Sequence, residues 1–122
     1  MDDWEKAGEI AGKCLLTGKK LIKPGTRYLE VTEAMEAKLL ELGGRPGFPV
    51  QISVNEVAAH YTCVKDDKSV FKENDVVKLD LGTNFNGSIG DTAITIDLSG
   101  EFGDLCKASY NALLEAIKTA EP

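Results

Sequence analysis

The sequence predicts an α+β domain, and three observations carry that expectation. Two helical periodicities open the chain, two β-branched runs joined by a short polar loop occupy its middle, and a third helical periodicity closes it. At 122 residues it reads as a single domain, residues 1–122, long enough to bury a core.

The first helix is expected from about Asp3 to Ile22, where Trp4, Ala7, Ala11, Cys14, Leu15, Gly18, Leu21 and Ile22 recur at helical spacing. Lys23-Pro24-Gly25 ends it, since proline cannot continue the hydrogen-bond ladder. Thr26 can cap a second helix with the stripe Leu29, Val31, Met35, Leu39 and Leu42, stopped by Gly43-Gly44. Arg45 to Lys68 reads as irregular and partly extended; it holds Gly47-Phe48-Pro49, an alternating Val50 to Val54, and the only histidine, His60. After a turn at Lys72 to Asp75, Val76 to Leu81 and Ile89 to Leu98 read as strands, with Asn84 to Gly87 as their hairpin loop. Ser99-Gly100 breaks the second strand. A last helix is expected from about Phe102 to Thr119, with Phe102, Leu105, Cys106, Ser109, Tyr110, Leu113 and Ile117 on one face.

The formal net charge of −6 makes nucleic acid a poor partner, because phosphate backbones are repelled. No apolar run approaches membrane-spanning length, so no membrane role is expected. Met1 to Lys6 is acidic and polar, unlike a secretory leader. Cys14, Cys63 and Cys106 are far apart, odd in number and without zinc-ligand or redox spacing, which favours reduced thiols in a cytoplasm.

Asp80 is the unexpected residue, an aspartate inside the strand Val-Val-Lys-Leu-Asp-Leu. Asp91 sits near the start of the partner strand. If the turn centres between Phe85 and Asn86, the two aspartates are directly opposed; if it centres on Asn86-Gly87, Asp80 faces Ala93 and Asp91 is its diagonal neighbour. Both registers put the carboxylates on one face, roughly 5 Å or roughly 7–8 Å apart. Only an extra residue, as in a bulge, would separate them. Two such carboxylates need a shared proton, a cation or free access to water. A divalent ion is the compensation that also does chemistry, and paired carboxylates suit Mn, Fe, Co or Zn, singly or as a bridged pair. The bland alternative is a solvated sheet face with no role.

Gly47-Phe48-Pro49, Ser53-Val54-Asn55-Glu56, Ala58-Ala59-His60-Tyr61-Thr62, Lys78-Leu79-Asp80-Leu81-Gly82-Thr83 and Gly90-Asp91-Thr92-Ala93 run in the order seen in methionine aminopeptidases. Glu5 to Ala11 and Lys23-Pro24-Gly25 match as well. The chain therefore resembles the N-terminal half of a type II, archaeal-like methionine aminopeptidase over essentially its whole length. The resemblance implies half of a pita-bread (creatinase/aminopeptidase) fold. It also implies hydrolytic removal of the initiator methionine from nascent proteins, with two divalent metal ions (Co, Mn, Fe or Zn) in the complete enzyme. Carried over by motif, Asp80 and Asp91 match two metal ligands. His60 matches a catalytic and substrate-contacting histidine, and Phe48 a wall of the methionine side-chain pocket. These roles suit the residues: an imidazole can donate to a developing oxyanion, and an aromatic ring suits a thioether. Without the motif, His60 would read as a structural histidine and Phe48 as core packing beside Pro49. A Cys63–His60 nucleophile pair lacks an orienting third group. Asn84 departs from a histidine common in the type II hairpin.

The family's metal site also needs one histidine and two glutamates from its second half, and nothing after Asp91 sits in a matching motif. The chain is thus expected to hold metal weakly and to be inactive or very weak alone. A complementary C-terminal half or a second copy in a homodimer would complete it, whether the half is natural, split or engineered. The alternative is a non-catalytic pita-bread half that associates with itself or a partner chain.

Overall fold

The computed structural model describes residues 1–121. Its elements run α1 (Asp3–Leu21), α2 (Tyr28–Glu41), β1 (Arg45–Val54), β2 (Val76–Phe85), β3 (Ser88–Asp97) and α3 (Gly103–Thr119). The strands form one antiparallel sheet in the order β1-β2-β3. Two N-terminal helices, an antiparallel sheet with a hairpin and a C-terminal helix are the elements expected.

Helix α1 starts at a capping box: Glu5 N donates to Asp2 Oδ1 (2.8 Å), and Asp2 N donates to Glu5 Oε2 (3.1 Å). Its buried stripe is Ala7, Ile10, Ala11, Cys14, Leu15 and Gly18. Trp4, expected on that stripe, is 64% exposed, while Ile10 packs into the core in its stead. Trp4 stands one turn before the sheet begins to cover the helix. Thr26 does not cap α2. The N-cap is Arg27, without a side-chain bond, and the α2 entrance is instead tied to the loop at Ser69, which accepts from Tyr28 N (3.0 Å). Gly43, at φ +84°, takes the left-handed position that ends α2.

The stretch after α2 is more regular than expected: Arg45–Val54 is a full strand, interrupted by irregularities between Pro46 and Gln51. The hairpin strands also run longer than their β-branched cores, leaving only Asn86 and Gly87 as the turn. Both have positive φ (52° and 93°), the two-residue turn whose twist matches that of paired strands.

The sheet has two unlike faces. Val77, Leu79, Leu81 and Thr83 of β2 point to α1 and α2 and are buried with Val50 and Ile52 of β1, Val31, Met35 and Leu39 of α2, and Phe71. The opposite, open face carries Lys78, Asp80 and Gly82 of β2 and Asp91, Ala93 and Thr95 of β3, by strand alternation. Helix α3 leans on β3 from this side but buries none of its residues. Leu105, Tyr110, Leu113 and Ile117 remain exposed beside a groove of about 380 Å³ lined with Lys78, Ala93 and Thr95. No helix among the described residues is long and apolar enough to cross a membrane.

Helix α1 crosses β3 so closely at Gly90 that a Cβ there would lie 2.5 Å from the backbone carbonyl of Ala7. Neither backbone can yield cheaply, so Gly90→Ala is expected to cost about 1–3 kcal/mol, read as a lowered denaturation midpoint.

Candidate functional site

The Asn86-Gly87 turn selects the second of the two registers. Asp80 pairs with Ala93 and Asp91 with Gly82, so the carboxylates are diagonal neighbours on the open face. Diagonal positions stand roughly 7–8 Å apart, within mutual electrostatic reach. Two short rows result. One runs Phe48, Gly82, Asp91 across the three strands; the next runs Gln51, Asp80, Ala93.

Phe48 reaches this face through the irregularity in β1. Strand alternation from Gln51 would turn Phe48 toward the helices, but the register shifts between them, and one extra residue reverses every side chain beyond it. The ring lies over Gly82, where a Cβ would overlap it. Glycine inside a strand marks such close approach, a signal in Leu81-Gly82-Thr83 that the sequence reading left unused.

His60 arrives from the loop between β1 and β2. Its φ of +70° is unusual for a residue with a Cβ, and the chain turns there so that the next residues run back along β1. Ile52 N donates to Tyr61 O (2.9 Å), Tyr61 N to Ser53 Oγ (3.3 Å), and Thr62 bridges to Gln51. Tyr61 anchors the loop further: its hydroxyl donates to Asp67 Oδ2 (2.7 Å), and its ring meets Tyr28 edge-on at 6.1 Å. At the loop's two ends, Asn55 Nδ2 donates to Asp75 Oδ1 (3.0 Å) and Val76 N to Asn55 Oδ1 (2.9 Å). The loop is thus held to β1 by backbone pairing and braced by its own side chains, and His60 stays exposed.

Burial, and then the nearby Asp91 carboxylate, push the Asp80 carboxyl above the usual aspartate range, while the Leu81 backbone N–H and, after it, His60 pull the other way. Asp80 Oδ1 is buried without a hydrogen-bond partner. A half-desolvated carboxylate beside another carboxylate fits a divalent-ion site. Among the described residues no group of three or more His, Cys, Asp or Glu side chains converges as a metal cage, so the pair stands alone.

The remaining candidates separate. Burial raises the Cys63 thiol, away from the thiolate a nucleophile requires. Asn84 accepts from Gly87 N (3.0 Å) and so serves the turn.

Residues 2–122 match the model of metallopeptidase family M24. A methionine aminopeptidase of Methanocaldococcus jannaschii is 53% identical over 117 residues, covering 96% of this chain and 40% of that protein. One from Pyrococcus horikoshii is 46% identical over 120 residues, covering 98% and 41% respectively. The crystal structure of a methionine aminopeptidase from Thermotoga maritima superimposes with a TM-score of 0.88 at 28% identity, over 98% of this chain and 52% of that one. The chain spans about 40% of the length of the curated relatives it matches.

The raised Asp80 carboxyl has a sign that can be tested. Binding its proton more tightly folded than unfolded, it favours folding fully below the ordinary aspartate pKa, and that contribution is lost as pH rises through the raised value. Thermal melts of the metal-free chain are therefore expected to show Asp80→Asn more stable than the parent at neutral pH. The difference should close as pH falls below about 4, the ordinary aspartate value.

Proposed function

The chain belongs to metallopeptidase family M24, and from that premise we propose that it is the aspartate-bearing half of a dinuclear-metal exopeptidase that removes the initiator methionine from nascent proteins. One observation carries the reading. Asp80 and Asp91, which match the family's motif, share the open sheet face as diagonal neighbours. The same positions could not serve this chemistry if the hairpin had turned them to opposite faces.

In this reading Asp80 and Asp91 hold divalent ions, which when bound supply an activated water and neutralise charge at the scissile bond. The ions would be Co, Mn, Fe or Zn. His60, on its left-handed turn, donates a hydrogen bond to the oxyanion that develops as the carbonyl is attacked. Phe48, seated on Gly82 in the same row as Asp91, offers its ring to the methionine thioether. The substrate methionine thus lies against the row Phe48-Gly82-Asp91, with its carbonyl between the carboxylates and His60. Nascent proteins as substrate imply work in the cytoplasm, without membrane or nucleic-acid partners.

Two ligands hold metal weakly, and the remaining histidine and glutamates come from a complementary chain portion or a second copy. The uncovered stripe of α3 and the outer edge of β3, which pairs with no further strand among the described residues, support such association. They equally favour a second reading, a non-catalytic half that only associates. Keeping both aspartates speaks for the enzyme.

The test is Mn²⁺ or Co²⁺ titration, sizing with and without metal, and release of methionine from a Met-Ala-Ser peptide once the complementary half is added. Activity only with that half, abolished in Asp80→Asn and Asp91→Asn, is expected. Association without any metal-dependent release would select the non-catalytic reading. In the completed enzyme His60→Ala should lower kcat about 10²–10³-fold, the usual effect of deleting one oxyanion donor.

A further inference from the structure

Asp80 is not the only residue on the open face with an orphaned oxygen. Gln51 Oε1 is also buried without a hydrogen-bond partner, and Gln51 is the direct partner of Asp80 across β1 and β2. Directly opposed side chains stand on one face about 5 Å apart at Cβ. The Gln51 backbone is fixed on both flanks, by Asp80 on one side and the bridge to Thr62 on the other. On the far side of Asp80 stands Ala93, whose methyl offers no donor.

Two opposed side chains that each bury an acceptor each forgo a hydrogen bond. A carboxamide holds the remedy within itself. Its NH₂ and oxygen ends have nearly the same shape, and a half-turn exchanges them. The Nε2 end of Gln51 is not among the buried unpartnered atoms of the described residues. One rotation turns a donor to the place of the orphaned oxygen.

We propose that Gln51 is a positioning residue for Asp80: its Nε2–H donates to Asp80 Oδ1, sets the rotation of the carboxylate and leaves Oδ2 for the divalent ion. The hydrogen bond follows from the two orphaned oxygens; only its service to metal binding rests on the reading above. Partners of this kind orient ligating carboxylates, and their loss typically weakens metal affinity 10–100-fold. A neutral donor also suits this place better than a lysine or arginine, whose charge would compete with the ion.

The experiment has two arms on this chain. Mn²⁺ binding is followed by electron paramagnetic resonance in the parent, Gln51→Met, and the Asp80→Ala/Asp91→Ala double variant. The side-chain NH₂ resonances of Gln51 are followed by ¹⁵N NMR in the metal-free parent and in Asp80→Ala. We expect about 10-fold weaker Mn²⁺ binding in Gln51→Met, and Gln51 NH₂ protons that exchange slowly and shift to free-amide values in Asp80→Ala. Parent-like Mn²⁺ affinity in a folded Gln51→Met overturns the positioning role. Free-amide behaviour of the Gln51 NH₂ in the parent overturns the hydrogen bond itself, whether or not Gln51→Met folds. If the double variant binds Mn²⁺ as the parent does, the aspartate metal reading fails, and with it the metal step of this proposal; the NMR arm still judges the hydrogen bond.

Discussion

The two-residue turn at Asn86-Gly87 is the constraint on which the site depends. Two adjacent positive φ angles commit β2 and β3 to one register over ten cross-strand pairs. That register makes Asp80 and Asp91 diagonal rather than direct neighbours, which eases their repulsion while keeping both on one face. It also sets Gly82 opposite Asp91, opening the space that the Phe48 ring fills. Moving the turn by one residue would change the spacing of the carboxylates, and so the ions they could share.

The sheet keeps the structural and chemical tasks on separate faces. Leu79 and Leu81 flank Asp80 in sequence and point into the core under α1 and α2. Their burial anchors the strand so firmly that a half-desolvated carboxylate between them is carried along. The loop bearing His60 is anchored in the core at one point by Phe71, with Cys63 packed against it. Its position comes from Tyr61, Asp67, Asn55 and Asp75, which bond back to the framework at both ends. Catalytic groups on loops need such tethering, because loop backbone carries no packing of its own to fix it.

The open face is also where the fold is least finished. Helix α3 displays an apolar stripe that nothing among the described residues covers, next to the groove beside Ala93 and Thr95. The two curated relatives are more than twice as long as this chain. That apolar, grooved surface adjoins Ala93, the cross-strand partner of Asp80, so the uncovered stripe and the carboxylates lie side by side on one face.

The sequence by itself determined the three helices, the hairpin and its two strands, the sharing of one face by Asp80 and Asp91, and the family resemblance; β1 it showed only as a partly extended stretch. These are local: periodicity, turn chemistry and strand alternation act over a few residues. Alternation even guaranteed the shared face in both registers considered. The tertiary structure decided the rest. It chose the register, because the turn pair could be confirmed only with its strands fully extended. It turned Phe48 onto the carboxylate face through an irregularity in β1 that no pattern of apolar residues announces. It moved the start of α2 off Thr26, because the loop at Ser69 satisfies the helix entrance in place of a cap. And it set Gln51 beside Asp80, residues 29 positions apart in the chain, since cross-strand neighbours are defined by pairing and not by distance along the sequence.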